Sequence, residues 1–205
     1  MDHARDDEEL LRVMKAFRIL SSKPGINGMI GGQVVDVELT GKPIPEKTLR
    51  FIFELKTGAL IEAAMMIGAQ LAGASDEQIA AVEKAAGDIG MAFQMVDDVL
   101  DFAPSAQTGK PEGGDIREGK LTPPIFFYVN TLSDSDRERF LAKFSTQSFN
   151  EDELARIIDS IRRHGCAKTW NLVDAYLKKA QEMLEGMTRD RKDSPHQEIL
   201  AGLID

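Results

Sequence analysis

The chain has 205 residues, 42% hydrophobic and 29% charged, which is enough for one substantial core. Its 25 basic and 34 acidic residues give a formal charge of -9, which disfavours non-specific nucleic-acid binding as its main task, and its single cysteine, Cys166, excludes an internal disulfide. No apolar run approaches the roughly 18 residues that a membrane span requires, and the opening MDHARDDEEL is polar and acidic, unlike a signal peptide, so a cytoplasmic location is expected.

Residues 6–21 read as an amphipathic helix, with Asp6, Asp7, Glu8 and Glu9 at its start and Leu10, Leu11, Met14, Phe17 and Leu20 at helical spacing. Pro24 and Gly25 end it. The next stretch, INGMIGGQVVDVEL (26–39), mixes glycines with helix-competent residues, and TGKPIPEKT (40–48) reads as a turn. From Thr48 to Ala72 the apolar pattern is long enough to favour helix, and LKTGALIEAAMMIGAQLAG (55–73) suits a helix packed on all sides. Ser75, followed by Glu77 and Gln78, opens a third segment that runs to about Phe102. Residues 103–123 are rich in Gly, Pro, Lys and Asp and are expected to form a long ordered loop. PPIFFYVNTL (123–132), a break at SDSD (133–136) and helices near 135–144, 150–164 and 168–187 complete the chain, with Trp170 and Tyr176 packing the last helices. Nothing alternates with period 2 for long, so the fold expected is all-α.

The stretch MAFQMVDDVLDF (91–102) places acids where a buried helix wants leucine. With 18 aspartates in the chain, D-D-x-x-D arises by chance about 0.14 times, so the bare pattern says little. Its setting says more. Gln94, Asp97, Asp98 and Asp101 fall at i, i+3, i+4 and i+7, one stripe of a helix, among Phe93, Met95, Val96, Val99, Leu100 and Phe102. Like charges one turn apart repel, and desolvation beside the aromatics costs more, so a compensating cation is expected. Carboxylates one turn apart suit Mg²⁺, which keeps several waters and takes its other ligands from substrate phosphates. A phosphate site also needs cations from the protein. Lys56, with Thr57, interrupts an otherwise apolar segment, and the glycine-rich loop supplies Lys110, Arg117 and Lys120 around Gly109, Gly113, Gly114, Asp115 and Gly119. The plain alternatives are a solvated acidic stripe and a lysine that snorkels to the surface. His3, His164 and His196 are isolated and lack metal-ligand spacing.

Four blocks, GMIGGQVVDVE (28–38), KTGALIEAA (56–64), GMAFQMVDDVLD (90–101) and TGKPEGGDIREGKLTPP (108–124), together resemble the trans-type isoprenyl diphosphate synthases, the polyprenyl synthetase family, in order and separation. AYLKKAQEML (175–184) is similar to that family's C-terminal helices. The resemblance implies a terpenoid-synthase-like helical bundle. It implies head-to-tail condensation of isopentenyl diphosphate with an allylic diphosphate to a farnesyl, geranylgeranyl or longer product, with Mg²⁺ as cofactor. Asp97, Asp98 and Asp101 match the family's second aspartate-rich motif, with Asp97 the direct Mg²⁺ ligand. Lys56 and Lys110 match lysines that bind the allylic diphosphate, and Lys120 lies in the loop that closes over it. Thr57, Gln94 and Asp115 match neighbouring site positions, and Gln33 and Asp36 would face the cavity.

The chain also departs from the family pattern. A first aspartate-rich motif on an earlier helix, and the arginines that follow it, have no counterpart here. DDEEL (6–10) has leucine at its fifth position and reads as favourable charge at a helix N-terminus. Residues 1–205 are therefore expected to form a single, N-terminally incomplete synthase domain, weakly active or inactive alone. Its uncovered apolar surface would favour a homodimer or another association. Two other readings stay open: a non-catalytic subunit of a heteromeric prenyl synthase, and a ligand-free α-helical interaction module.

Overall fold

A computed structural model describes residues 6–39 and 45–188, and all the regular structure among them is helical. His3, His196 and part of the turn expected over 40–48 lie outside the described residues.

Helix α1 (Asp7–Ser22) begins where Asp6 accepts the N–H of Glu9 at 2.8 Å, with three acids at the positive end of the helix dipole. After the turn at Pro24 and Gly25, α2 (Met29–Leu39) starts as the Met29 N–H donates to Lys23 O at 2.9 Å. The expected 48–72 segment is one uninterrupted helical run: α3 (Glu46–Phe53), a π-helical turn (Glu54–Gly58) and α4 (Ala59–Leu71). Next comes α5 (Asp76–Leu100), opened by a reciprocal cap in which Gln78 N–H donates to Ser75 Oγ at 3.2 Å and Ser75 N–H to Gln78 Oε1 at 2.9 Å.

The expected long loop carries two short helices, α6 (Ser105–Thr108) and α7 (Gly114–Glu118). Helix α8 (Pro123–Val129) follows, its prolines placed in the first turn, where a missing N–H breaks no bond. Helix α9 (Asp134–Thr146) is capped by Ser133, and α10 (Glu151–Ser160) by a capping box between Asn150 and Glu153. A second π-helical turn (Ile161–Gly165) leads without a break into α11 (Cys166–Thr188).

The helices form two compact units. Among the described residues the first gathers 6–35, 50–92 and 175–188, and the second 36–39, 45–49 and 93–174. In the first unit α1 packs on α4, and Met66, Ile79 and Val82 make a small core with Ile19, Met65 and Met187 against it. The second unit has the larger core, built from Val99, Phe102, Ile116, Ile125, Val129, Phe140, Phe144, Leu154, Ile158, Ile161 and Cys166. Phe102 is 1% exposed and sits directly after the acidic stripe, so the helix bearing those acids ends on a fixed anchor.

Two expectations are corrected. Helix α4 is not packed on all sides: Ala59, Ala63, Met66 and Gln70 form its buried face, while Leu60 and Leu71 are exposed. Small residues all round a helix carry no strong moment, so the buried stripe follows the neighbouring helices and not the composition. Trp170 is 42% exposed and does not anchor α11; that role falls to Val173, Ala180 and the fully buried Thr169, whose hydroxyl donates to Gly165 O at 2.9 Å. The apolar residues Leu11, Met14, Phe17 and Leu20 of α1 and Ile30, Val34 and Val37 of α2 are exposed. Cys166 is a buried, free thiol pushed up to about 11 by desolvation, and it packs in the larger core.

Candidate functional site

In the first unit, Lys56 and Thr57 lie on the π-helical turn at 54–58 and are both half-buried. A π turn is one residue wider than an α turn, and such turns recur at functional sites. Two glycines make room for this one. A Cβ on Gly32 of α2 would stand 2.5 Å from Lys56 N and 2.8 Å from Leu55 Cβ, and one on Gly90 of α5 would stand 2.7 Å from Gly58 Cα. The backbone that presents Lys56 is thus gripped by two close glycine approaches. Gln33, one residue past Gly32, is exposed, and Asp36 one turn further along α2 is half-buried.

In the second unit, a cavity of ≈ 740 Å³ is lined by Asp97, Asp98, Leu100 and Asp101 from the end of α5 and by Gln107, Lys110, Pro111, Gly114, Asp115, Arg117 and Glu118 from the loop after it. Of the expected site residues, Asp97, Asp98, Asp101, Lys110 and Asp115 come together here. Gln94 stands behind them, its Nε2 donating to Asp98 Oδ1 at 3.2 Å. Lys120 is half-buried beside the cavity, not among the residues lining it; its ammonium pairs with Glu118 at 2.5 Å and feels the charges of Asp115 and Asp36.

The three aspartates of the stripe differ in role. Asp97 is exposed at the cavity. Asp98 is 6% exposed, and its Oδ2 is buried without a hydrogen-bond partner. Burial first, then the charges of Asp115, Asp97 and Asp101, push its carboxyl up to about 8 against the bond from Gln94. Asp101 uses both oxygens on the loop: Gly114 N–H donates to Oδ1 at 3.1 Å and Asp115 N–H to Oδ2 at 3.0 Å. Gly114 has no room for a side chain, since a Cβ there would stand 2.9 Å from Asp101 Oδ1. Asp115 is likewise raised, to about 7, by burial and then by Asp101, with Lys120 opposing.

The three aspartates of the stripe are thus not equivalent donors. Among the described residues no group of three or more His, Cys, Asp or Glu is gathered so as to hold a metal ion. Asp101 is turned to the loop backbone and Asp98 to Gln94, which leaves an open, partial set of hard oxygen donors. Such a set fits a cation that retains water and completes its shell with phosphate oxygens, and the unpartnered Asp98 oxygen and crowded carboxylates give it a reason to bind.

Arg117, expected in the glycine-rich loop, lies in the short helix α7 with its guanidinium forked onto Glu151 at 2.8 and 2.9 Å. Sequence reasoning missed Glu118 and Gln107 as cavity residues. Glu118 carried a faint signal, three residues after Asp115 on the short helix, but Gln107 carried none.

Comparison with known proteins decides the family. The family model described as Polyprenyl synthetase matches residues 8–161. The chain belongs to the polyprenyl synthetase family. It is 31% identical over 185 residues to the geranylgeranyl diphosphate synthase of Sulfolobus acidocaldarius, covering 89% of this chain and 55% of that protein. It is 36% identical over 150 residues to the farnesyl diphosphate synthase of Escherichia coli, covering 69% of this chain and 50% of that one. A decaprenyl diphosphate synthase structure from Rhodobacter capsulatus superposes with a TM-score of 0.78 at 26% identity, over 94% of this chain and 58% of that chain. The all-α, terpenoid-synthase-like fold of polyprenyl synthases is thereby shared, and the chain spans about half the length of the two synthases matched by sequence. Among the described residues no helix is long and apolar enough to cross a membrane.

Proposed function

We propose that this polyprenyl synthetase chain contributes the metal and diphosphate half of a prenyltransferase that joins isopentenyl diphosphate head-to-tail to an allylic diphosphate. The observation that carries the reading is the cavity of the second unit, where Asp97, Asp98 and Asp115 face one space with Lys110 and the buried Asp98 Oδ2 lacks a partner. Asp97 and Asp98 are the proposed cation ligands, and Mg²⁺ bound there would neutralise the diphosphate leaving group. Asp101 holds Gly114 and Asp115 in place beneath it. Lys110 is proposed to contact phosphate oxygens directly, and Gln94 keeps Asp98 in its rotamer. From the first unit, Lys56 and Thr57 on the π turn are proposed as diphosphate-binding groups, on the family resemblance. Gln33, Asp36 and Lys120 are proposed to act on the substrates in the same reaction.

The 205 residues contain D-D-x-x-D once, at 97–101. A diphosphate held by one such motif lacks the second carboxylate cluster that the family resemblance implies, so turnover by these residues alone is expected to be slow. The test is calorimetry with MgCl₂ and inorganic pyrophosphate, run beside a condensation assay with isopentenyl and geranyl diphosphates. Magnesium-dependent pyrophosphate binding that Asp97→Ala removes is the expected result. Absence of heat in the wild-type chain, with condensation also absent, would leave a ligand-free interaction module as the better reading.

A further inference from the structure

We propose that Arg162 is a positioning residue for diphosphate binding: its guanidinium fixes both ends of the 102–112 segment, and so sets Lys110 over the acidic cavity without itself lining it. The inference rests on the function proposed above. Arg162 is one residue beyond the stretch that matches the family model, and none of the sequence blocks that carry the family resemblance contains it.

The placement starts with a glycine. A Cβ on Gly165 would stand 2.0 Å from Pro124 O, so the start of α8 lies directly against the backbone of the second π-helical turn. On that same turn Arg162 donates through Nε to Phe102 O at 2.8 Å and through Nη2 to Glu112 Oε2 at 2.8 Å. The other oxygen of Glu112, Oε1, accepts the Ser105 N–H at 2.9 Å. One guanidinium therefore ties the residue that follows the acidic stripe to the residue that precedes Gly113, and Glu112 pulls Ser105 into the same knot. Between these tie points lie Gln107, Lys110 and Pro111, the part of the segment that lines the cavity.

Beside this clasp, Gly113 N–H donates to Asp101 O at 2.8 Å and the Asp101 carboxylate takes Gly114 and Asp115, which holds the chain just past the segment's C-terminal end. Gly109 and Gly113 take φ values of 68° and 70°, turning the chain where side-chain-bearing residues would be strained, and residues 103–107 and 109–111 are mostly exposed. A half-exposed ion pair adds little to the stability of a fold. Spanning a loop, the same pair limits the positions that Lys110 can take, and ordering a binding group before the ligand arrives raises affinity. A positioning role and a merely structural one thus differ in what they predict: the first lowers pyrophosphate affinity while cation binding at Asp97 and Asp98 persists.

The experiment is calorimetry on the full chain with MgCl₂ alone and then with inorganic pyrophosphate in saturating MgCl₂, for wild type, Arg162→Ala, Glu112→Ala, the double variant and Lys110→Ala. Expected are magnesium affinities within about twofold of wild type in the Arg162 and Glu112 variants, and pyrophosphate affinity lower by about tenfold in each. The double variant should lose no more than either single one, because both remove the same clasp. Near-wild-type pyrophosphate binding by Arg162→Ala and Glu112→Ala, with Lys110→Ala weakened, overturns the positioning role and leaves the functional reading standing. If wild type binds no pyrophosphate, or Lys110→Ala binds as wild type does, the functional reading fails and takes this inference with it. Unfolding of both clasp variants under assay conditions also overturns it, since the clasp would then serve the fold and not the ligand.

Discussion

Replacing Asp98 with asparagine isolates the cost of crowding carboxylates in the cavity. Asp98 begins from an ordinary value of 3.8 and is raised to about 8 in the folded chain, chiefly by burial. Between those values the folded state keeps a proton that the unfolded state has lost, so stability falls as pH rises, by about 1.4 kcal/mol per pH unit for one such group. The contribution is intact below the unfolded value and fully lost above the folded one. From pH 5 to pH 8 the ceiling is about 4 kcal/mol, and relaxation of the cavity lowers the expected figure to about 2–4 kcal/mol. Asparagine preserves the shape and the partner Gln94 and removes the charge. Urea unfolding of wild type and Asp98→Asn at pH 5, 6, 7 and 8 should show the variant gaining on wild type by that amount across the range. Comparing the two at each pH cancels groups such as Glu112 and Glu153, whose values are lowered by Ser105 and Lys143 and whose effect has the opposite sign. Saturating MgCl₂ should narrow the gap at pH 8 by stabilising wild type more than the variant. A difference that stays flat within about 0.5 kcal/mol from pH 5 to 8 would refute the account, because Asp98 would then ionise like an exposed acid.

Glycine substitutions should separate close approach from open helix surface. Gly32→Ala and Gly90→Ala, whose Cβ atoms would stand 2.5 and 2.7 Å from backbone, should each lower stability by a net 1–2 kcal/mol or so, overpacking outweighing helix propensity. Gly68→Ala on α4, with nothing within 4 Å, should instead raise it by up to about 1 kcal/mol; urea midpoints of equal sign at all three positions would contradict this. Phe102→Ala removes a ring that is 1% exposed from the larger core and should cost about 3–5 kcal/mol in the same unfolding assay. Lys56→Ala should weaken magnesium-dependent pyrophosphate binding in calorimetry more than Arg117→Ala, since the Arg117 fork is already engaged by Glu151; equal losses would tell against the role proposed for Lys56.

Where the chain signals itself locally, the sequence was easy to read. The caps at Asp6, Ser75 and Asn150 are short-range patterns, and each helix they open begins within a residue or two of its expected start. The acidic stripe was legible for the same reason, since i, i+3, i+4 and i+7 lie on one face of any helix. What escaped depends on distant partners. The two π turns have ordinary helical composition, and only the pressure of Gly32 and Gly90 on one and of Pro124 on the other marks them. Asp101 resembles its neighbours in the motif, yet its carboxylate is committed to N–H groups 13 and 14 residues away. Arg117 reads as a loop cation until Glu151, 34 residues further on, takes it. The acids and the lysine that line the cavity were thus legible by type and spacing, while the separate contacts of each required three dimensions.

On the function proposed above, the charge balance of the cavity implies an order of binding. Asp97, Asp98, Asp101, Asp115 and Glu118 line it against two cations, Lys110 and Arg117, and Arg117 is forked onto Glu151. A bare diphosphate approaching this surface meets carboxylates first and gains little from one lysine, so the acidic face repels the ligand that the lysine attracts. A divalent cation held at the proposed site would offset two of those negative charges and offer the anion a positive centre before it arrives. Protons compete for the same oxygens, because Asp98 and Asp115 are raised to about 8 and about 7, so cation affinity should climb as pH rises through that range, with protons released on binding. Calorimetry in buffers of different ionisation enthalpy would count those protons, and pyrophosphate added with a chelator should give no binding heat. Pyrophosphate that bound equally well with and without the chelator would mean that it is held without a cation, and the acidic stripe would then need a purpose other than holding one.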